Sequence, residues 1–316
     1  MSQSSPSTSA PALVVHGGCG NVYPEPLPVP RRTAYEAKLR EAAQAGYQAL
    51  LEGKSSVEAV ETSIRILEDS PLFNAAHGAV FSNDETVELD ASIMDGAAFL
   101  AGAVAGVRTI KNPISAARKV MEASAHVMMV GSGAEAFAAT VGLELVPPSY
   151  FELEERRTQI QQVKAAEAQG QPQPSTKLGT VGAVALDLDG RLAAGTSTGG
   201  MLNKRFGRVG DSPIIGAGTY ANHVCAVSGT GHGEFFMRHT VAHDIAALME
   251  YKGLTVEQAV QEVIHQKVAK AGGEGGVIAL DAQGNTGITF STQGMFWASV
   301  DINGTVQVHV DNVVVE

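Results

Sequence analysis

Three clusters of threonine and glycine mark the second half of this 316-residue chain: Gly179-Thr180-Val181-Gly182, Ser197-Thr198-Gly199-Gly200 and Ser228-Gly229-Thr230-Gly231. A threonine that opens a buried strand is ordinarily a β-branched residue in a favoured place. Two features weaken that reading for Thr180: the preceding Gly179 tolerates strained backbone, and the stretch before it is polar and rich in Gln and Pro. A threonine hydroxyl becomes a nucleophile only when a base takes its proton. The chain shows no His/Asp pair at triad-like spacing. Arg208 and Asp211 would suit a zwitterionic head group, although an Arg-x-x-Asp pair alone is more often a surface ion pair. His239 and His243 have the i,i+4 spacing of metal ligands. Without a Glu after His239 they read as surface or packing residues, and His16 reads as structural. The glycines at 199–200 and 229–233 lack the Gly-Lys-Ser/Thr that ends a Walker loop.

Four blocks in order carry a resemblance: Gly179-Thr180-Val181-Gly182, Thr196-Ser197-Thr198-Gly199-Gly200-Met201, Gly207-Arg208-Val209-Gly210-Asp211-Ser212-Pro213 and Thr230-Gly231-His232-Gly233-Glu234. They resemble the signatures of the plant-type asparaginase/isoaspartyl peptidase family of N-terminal-nucleophile hydrolases, and the likeness runs from about Leu13 to Met295. The resemblance implies self-cleavage between Gly179 and Thr180 into residues 1–179 and 180–316. The new α-amine, with a reference pKa near ~8, would then serve as base to the hydroxyl on its own residue. Thr180 Oγ can make the cut by attacking the Gly179 carbonyl, passing through an ester that water hydrolyses. By the same resemblance Thr198 joins the nucleophile's network, and the Thr230 hydroxyl and Gly231 N–H form an oxyanion hole. Arg208 would hold a substrate α-carboxylate, and Asp211 with the Gly233 carbonyl the α-ammonium. Asn74 matches a family asparagine near the nucleophile that supports maturation, and it is grouped with the substrate-binding residues. No catalytic cofactor is implied. The stretch from Leu67 to His77 resembles a loop that holds sodium through the carbonyls of Leu67, Glu68, Ser70, Phe73, Ala75 and His77.

The activity implied is hydrolysis of L-asparagine and β-aspartyl (isoaspartyl) dipeptides by a homodimer of cleaved protomers. One alternative is an aspartylglucosaminidase-like hydrolase of glycoasparagines; the disulfides expected of a secreted example are absent, Cys19 and Cys225 being too few for a framework. The other is an uncleaved amino-acid-binding protein of the same fold. Three departures from the family pattern stand out: Cys19 in place of alanine, His232 at a variable position, and Trp297 where relatives commonly carry arginine.

The elements that would position these residues alternate poorly between strand and helix, which points to α+β layering, and the family's four-layer αββα sandwich with mostly antiparallel sheets fits. Leu13–Val15 reads as a strand, Arg31–Leu51 as a helix, and Ser55 with Glu58 as a capping box opening a helix to about Glu68. Ala79–Phe81 and Val87–Asp90 flank a turn signal and read as a hairpin. Asn112 reads as the N-cap of a helix to about Ala123, and Gly133–Val141 as a shorter one. Residues 182–201 and 276–295 repeat one pattern of strand, acidic/Gly turn and strand, giving two hairpins. Glu234–Lys252 and Thr255–Ala271 read as helices. The whole is one domain, with disordered tails at 1–11 and about 148–179, and Glu152–Ala168 forming at most a loose helix. A net charge of −11 (22 cationic against 33 anionic residues) disfavours nucleic acid and anionic membranes as partners. The start lacks a signal-peptide pattern and no apolar run reaches membrane-spanning length, so the cytoplasm is the default.

Overall fold

The computed structural model describes residues 10–20, 27–171 and 179–310. The expected tail at 1–11 lies outside them except for Ala10 and Pro11, as do residues 172–178 before the Gly179–Thr180 bond. Strand β1 (Ala12–Cys19) leads to helices α1 (Val29–Leu51) and α2 (Ser56–Glu68). Both halves of the Ser55/Glu58 capping box form. Strands β2 (Leu89–Asp95) and β3 (Leu100–Val107) follow, then α3 (Pro113–Ala123), β4 (Met128–Val130), α4 (Gly131–Thr140) and α5 (Glu154–Ala168). Beyond Thr180 come β5 (Val181–Leu186), β6 (Leu192–Thr198), β7 (Thr219–Ala221), β8 (Cys225–Gly231), α6 (Gly233–His239), α7 (Val241–Lys252) and α8 (Val256–Gln261), which runs into a π-helical stretch, Glu262–Val268. Strands β9 (Gly275–Asp281), β10 (Thr286–Phe290), β11 (Met295–Val300) and β12 (Val306–His309) close the fold.

Two sheets result, β12-β11-β1-β5-β6-β2-β3-β4 and β10-β9-β8-β7. Every named pairing is antiparallel except β3 with β4. The strand period of two sorts the large sheet's residues between two cores. Leu13, Val15, Ala183 and Ile93 pack under α1, α2 and α3, whereas Ala12, Val14, Val184 and Met94 pack towards the smaller sheet. Helices α7 and α8 cover the far face of that sheet through Ile245, Val260 and their neighbours. The layers therefore run helix, sheet, sheet, helix, the αββα sandwich of an N-terminal-nucleophile hydrolase.

Both repeated hairpins form, as β5–β6 and β9–β10. Their turns are built alike. Asp187 Oδ1 accepts from the N–H groups of Asp189 and Arg191, and Asp281 Oδ1 from those of Gln283 and Asn285. Asp301 does the same with Asn303 and Thr305 between β11 and β12, a third copy of the device.

Five expectations need correction. The hairpin at 79–90 does not form: Ser82 and Thr86 close a tight turn, but the strand begins at Leu89 and pairs with β3 and β6. Residues 79–81 have their bonding groups taken elsewhere, Val80 N–H by Asn74 Oδ1 and the Phe81 carbonyl by Asn203 N–H. Asn112 precedes α3 but does not cap it; its amide donates to Asp69 Oδ1 instead. Residues 234–252 split into α6 and α7 where Thr240 turns left-handed, φ 46°. The segment 148–168 is ordered, a 3-10 turn followed by α5, because Arg156 is fully buried and donates to the carbonyls of Gly78, Pro71 and Leu72. Polar composition concealed this anchor, since one buried guanidinium bound to three carbonyls needs no apolar stripe. The helix opened by the Thr255/Gln258 capping box changes to π geometry at Glu262.

Candidate active site

The registry of β5 and β6 brings the first two threonines together. Val181 lies opposite Ser197, so Thr180 comes opposite Thr198 on the face towards the smaller sheet. Thr180 Oγ1 donates to Thr198 Oγ1 at 3.0 Å, and Thr198 Oγ1 also accepts from Gly200 N–H at 3.0 Å. Across the gap between sheets, Thr230 at the end of β8 receives the Thr180 N–H on its hydroxyl at 3.3 Å. Thr180, Thr198 and Thr230 are all buried, so these hydroxyls act with little competition from water. Gly231 follows Thr230 at φ 150°, and a Cβ there would meet the Glu274 carbonyl and Gly275 within 2.5 Å.

The next layer holds this cluster in shape. Asn74 donates to the Gly200 carbonyl at 2.7 Å and receives Val80 N–H on Oδ1, pinning the turn that carries Thr198. Gly179 packs back to back with Gly18: a Cβ on Gly179 would lie 2.3 Å from Gly18 Cα, and Gly18 itself has φ 106°. Composition alone hid that approach. Below Thr180 a chain of side chains runs from His16 Nε2 to Ser228 (3.0 Å), Thr196 (2.7 Å) and Thr219 (2.6 Å), and then to Ser92 (2.8 Å). Gly182 is glycine because His16 and Ser228 meet over it, within 2.4 Å and 2.0 Å of where a Cβ would stand. Burial pushes His16 down to about 3, only partly opposed by the Thr180 backbone, to which Nδ1 makes no hydrogen bond of good geometry. A neutral, fully buried imidazole is a packing and hydrogen-bonding residue, not the base for Thr180.

The charged pair converges at the other end of the cleft. A Cβ on Gly233 would stand 2.7 Å from Arg208 Nη2 and 2.9 Å from Asp211 Oδ1, so both groups border one small space, kept open because Gly233 has no side chain. Asp211 is buried, its Oδ2 lacks a hydrogen-bond partner, and burial pushes its carboxyl up to about 7, against the pull of Arg208. A buried carboxylate with Oδ1 bordering the same space as a guanidinium is the arrangement a bound zwitterion would complete. Arg208 also makes a two-pronged ion pair with Glu234, Nε–Oε1 2.9 Å and Nη2–Oε2 3.0 Å, which sequence reasoning missed although Glu234 ends a quoted block.

His239 and His243 lie on different helices, and His243 packs edge-on against Tyr220, so their spacing marks no metal pair. Trp297 lies on β11 and stacks on His309 of β12, with ring centroids 5.5 Å apart. Among the described residues no helix is long and apolar enough to cross a membrane.

A sequence profile described as asparaginase matches residues 9–310. A protein of Escherichia coli K12 named isoaspartyl peptidase is 48% identical over 293 residues, covering 90% of this chain and 91% of that protein. Proteins of Dictyostelium discoideum (named putative isoaspartyl peptidase/L-asparaginase) and Rattus norvegicus (named isoaspartyl peptidase/L-asparaginase) are 42% and 41% identical, over 93% and 95% of this chain and 94% and 88% of theirs. Profile, fold and the clustered threonines agree, and the chain belongs to the asparaginase family of N-terminal-nucleophile hydrolases.

Proposed function

We propose that this chain is an isoaspartyl peptidase and L-asparaginase that matures by cutting its own Gly179–Thr180 bond. The observation that carries the reading is the joint geometry of the cleft: a buried threonine triplet at one end, and at the other Arg208 and Asp211 meeting over Gly233. In maturation Thr180 Oγ attacks the Gly179 carbonyl, the acyl group passes from nitrogen to oxygen, and water hydrolyses the ester. The freed α-amine stays beside Thr230 Oγ1, where the amide nitrogen now lies.

In turnover that amine takes the hydroxyl proton, and Oγ attacks the side-chain carbonyl of the bound aspartyl unit. The developing oxyanion accepts from the Thr230 hydroxyl and Gly231 N–H, donors worth roughly 3–4 kcal/mol each when so aimed. The amine returns the proton to the departing ammonia or amino acid, and water hydrolyses the acyl ester to aspartate. Arg208, Asp211 and the Gly233 carbonyl hold the two α-groups throughout.

A structural sodium ion held by the carbonyls of Leu67, Glu68, Ser70, Phe73, Ala75 and His77 belongs to the same proposal. Of these, the Ser70 and Phe73 carbonyls approach one point at Gly78, where a Cβ would lie within 2.9 Å and 2.1 Å of them. Oxygen-only donors suit a hard cation, whose part would be to stiffen the loop that carries Asn74, with no role in the reaction. A homodimer of cleaved protomers acting in the cytoplasm completes the reading.

The test is a side-by-side assay on L-asparagine, β-Asp-Leu and α-Asp-Leu, with an electrophoretic check for two fragments. In the α-isomer the α-carboxyl is the peptide bond itself, so Arg208 would face a neutral amide, a mismatch that discriminates strongly. Asparagine and β-Asp-Leu should be cleaved and α-Asp-Leu should not. Equal turnover of both dipeptides, or a single uncut band in active protein, would sink the proposal.

A further inference from the structure

A guanidinium has two bidentate edges, one formed by Nε and Nη2 and the other by Nη1 and Nη2. In this cleft the first is taken. Glu234 accepts from Nε at 2.9 Å and from Nη2 at 3.0 Å, with Arg208 only 21% exposed and Glu234 49% exposed at the rim. The second edge faces glycine. A Cβ on Gly210 would stand 2.7 Å from Nη1 and a Cβ on Gly233 would stand 2.7 Å from Nη2. The same Gly233 position lies 2.9 Å from Asp211 Oδ1, so Nη2, the nitrogen the two edges share, adjoins the carboxylate that would receive an ammonium group, and with Nε held by Glu234 the edge left to a ligand there is the second.

Asp90 and Asp211 also lie within electrostatic reach of Arg208, yet among the described residues the carboxylate hydrogen-bonded to the guanidinium is Glu234's. Arginine holds four rotatable bonds, and an edge presented without a fixed plane loses much of its advantage over lysine. We infer that Glu234 is a positioning residue: it clamps the Nε–Nη2 edge of Arg208 so that the Nη1–Nη2 edge meets the substrate α-carboxylate beside Asp211. The inference rests on the proposed substrate class, a free α-amino acid head group. It also accounts for why the anchor tolerates a rim carboxylate. Glu234 repels a ligand carboxylate from the wrong edge, so the bound acid has one place left, on the edge beside Asp211.

The experiment compares wild type, Glu234→Ala, Glu234→Gln, Arg208→Lys and the Glu234→Ala/Arg208→Lys double variant, each as purified, self-cleaved protein. Glu234→Ala should raise KM for L-asparagine roughly tenfold while kcat changes less than about twofold, since the clamp orients binding and leaves the threonines untouched. Glu234→Gln should fall between, because its amide oxygen still accepts from one guanidinium nitrogen. The double variant should bind little worse than Arg208→Lys alone, because Glu234 acts through the fork that lysine lacks. A merely structural role would lower the cleaved fraction and the melting temperature and leave KM in place. An unchanged KM, additive effects in the double variant, or a KM that falls on removing Glu234 would each overturn the inference; the last would make Glu234 a competitor for the substrate's edge. If the wild type hydrolysed neither asparagine nor β-Asp-Leu, the catalytic reading would go. Calorimetric titration with L-aspartate would still decide this inference, since its Kd should rise in Glu234→Ala and stay level if Glu234 holds nothing in place.

Discussion

The two ends of the cleft are built from opposite materials. At the nucleophile end neutral hydroxyls and glycines meet, and strand registry sets their positions: Thr180 faces Thr198 because Val181 faces Ser197. At the head-group end the groups are charged and lie outside the strands. Arg208 and Asp211 belong to the irregular stretch between β6 and β7, held by an ion pair with Glu234 at the start of α6. Sheet geometry is shared among many hydrogen bonds and resists single changes, whereas an ion-paired loop depends on a few side chains. The first end should therefore fail all at once and only when its reacting atoms are removed. The second should fail by degrees.

The largest effect is expected from Thr180→Ala. It removes the hydroxyl that donates to Thr198 and leaves the strand in place. The chain should stay uncut and inactive, read by mass analysis and by ammonia release, while Thr180→Ser keeps part of both functions because an oxygen survives. Self-cleavage or activity in Thr180→Ala would show that registry had gathered the wrong residue.

Arg208→Lys tests the other end. It keeps the charge and loses the fork, so kcat/KM for asparagine should fall at least roughly tenfold, ~1.4 kcal/mol. Maturation should proceed as in wild type, because the cut needs no α-carboxylate. If the variant also failed to cleave itself, the two ends would not be separable, and the contrast between them would collapse.

How much of this could be read beforehand follows the same division. Hairpins announced themselves through Asp/Gly turns, and the turn of residues 187–191 is short enough to set Thr180 against Thr198. The capping boxes at Ser55 and Thr255 are local too, and both form in full. What stayed hidden depends on partners far along the chain. Gly18 reads as one glycine of a pair until Gly179 is packed against it. Arg156 reads as a helix-surface cation until it reaches Gly78 and Leu72. Residues 79–81 look like strand because they are apolar, but Asn74 and Asn203 take the hydrogen bonds that a ladder would need. Periodicity reports which face is buried and says nothing of which distant group arrives there.

The smallest effect concerns the charge state of the head-group end. Burial raises Asp211 to about 7 in the free protein, with Glu234 and Asp90 adding to the rise and Arg208 opposing it. The carboxyl must be ionised to receive an α-ammonium, so kcat/KM should climb with pH through about 7 and lose about fourfold between pH 8 and pH 6.5 on this account alone. Once substrate is bound its ammonium favours the carboxylate, so the same limb should be absent from kcat, where only the Thr180 amine near ~8 remains. Asp211→Asn should erase the limb near 7 and leave the other. The stability sign runs with it. A carboxyl raised on folding contributes stability below its ordinary pKa and loses it as pH rises to about 7. The melting temperature of the wild type should therefore fall relative to Asp211→Asn between about pH 4 and about pH 7 and level off above that. The buried histidine at the nucleophile end offers no counterpart: His16, pushed down to about 3, stays neutral throughout that range, and a kinetic limb that followed His16 rather than Asp211 would reverse the assignment of the two ends.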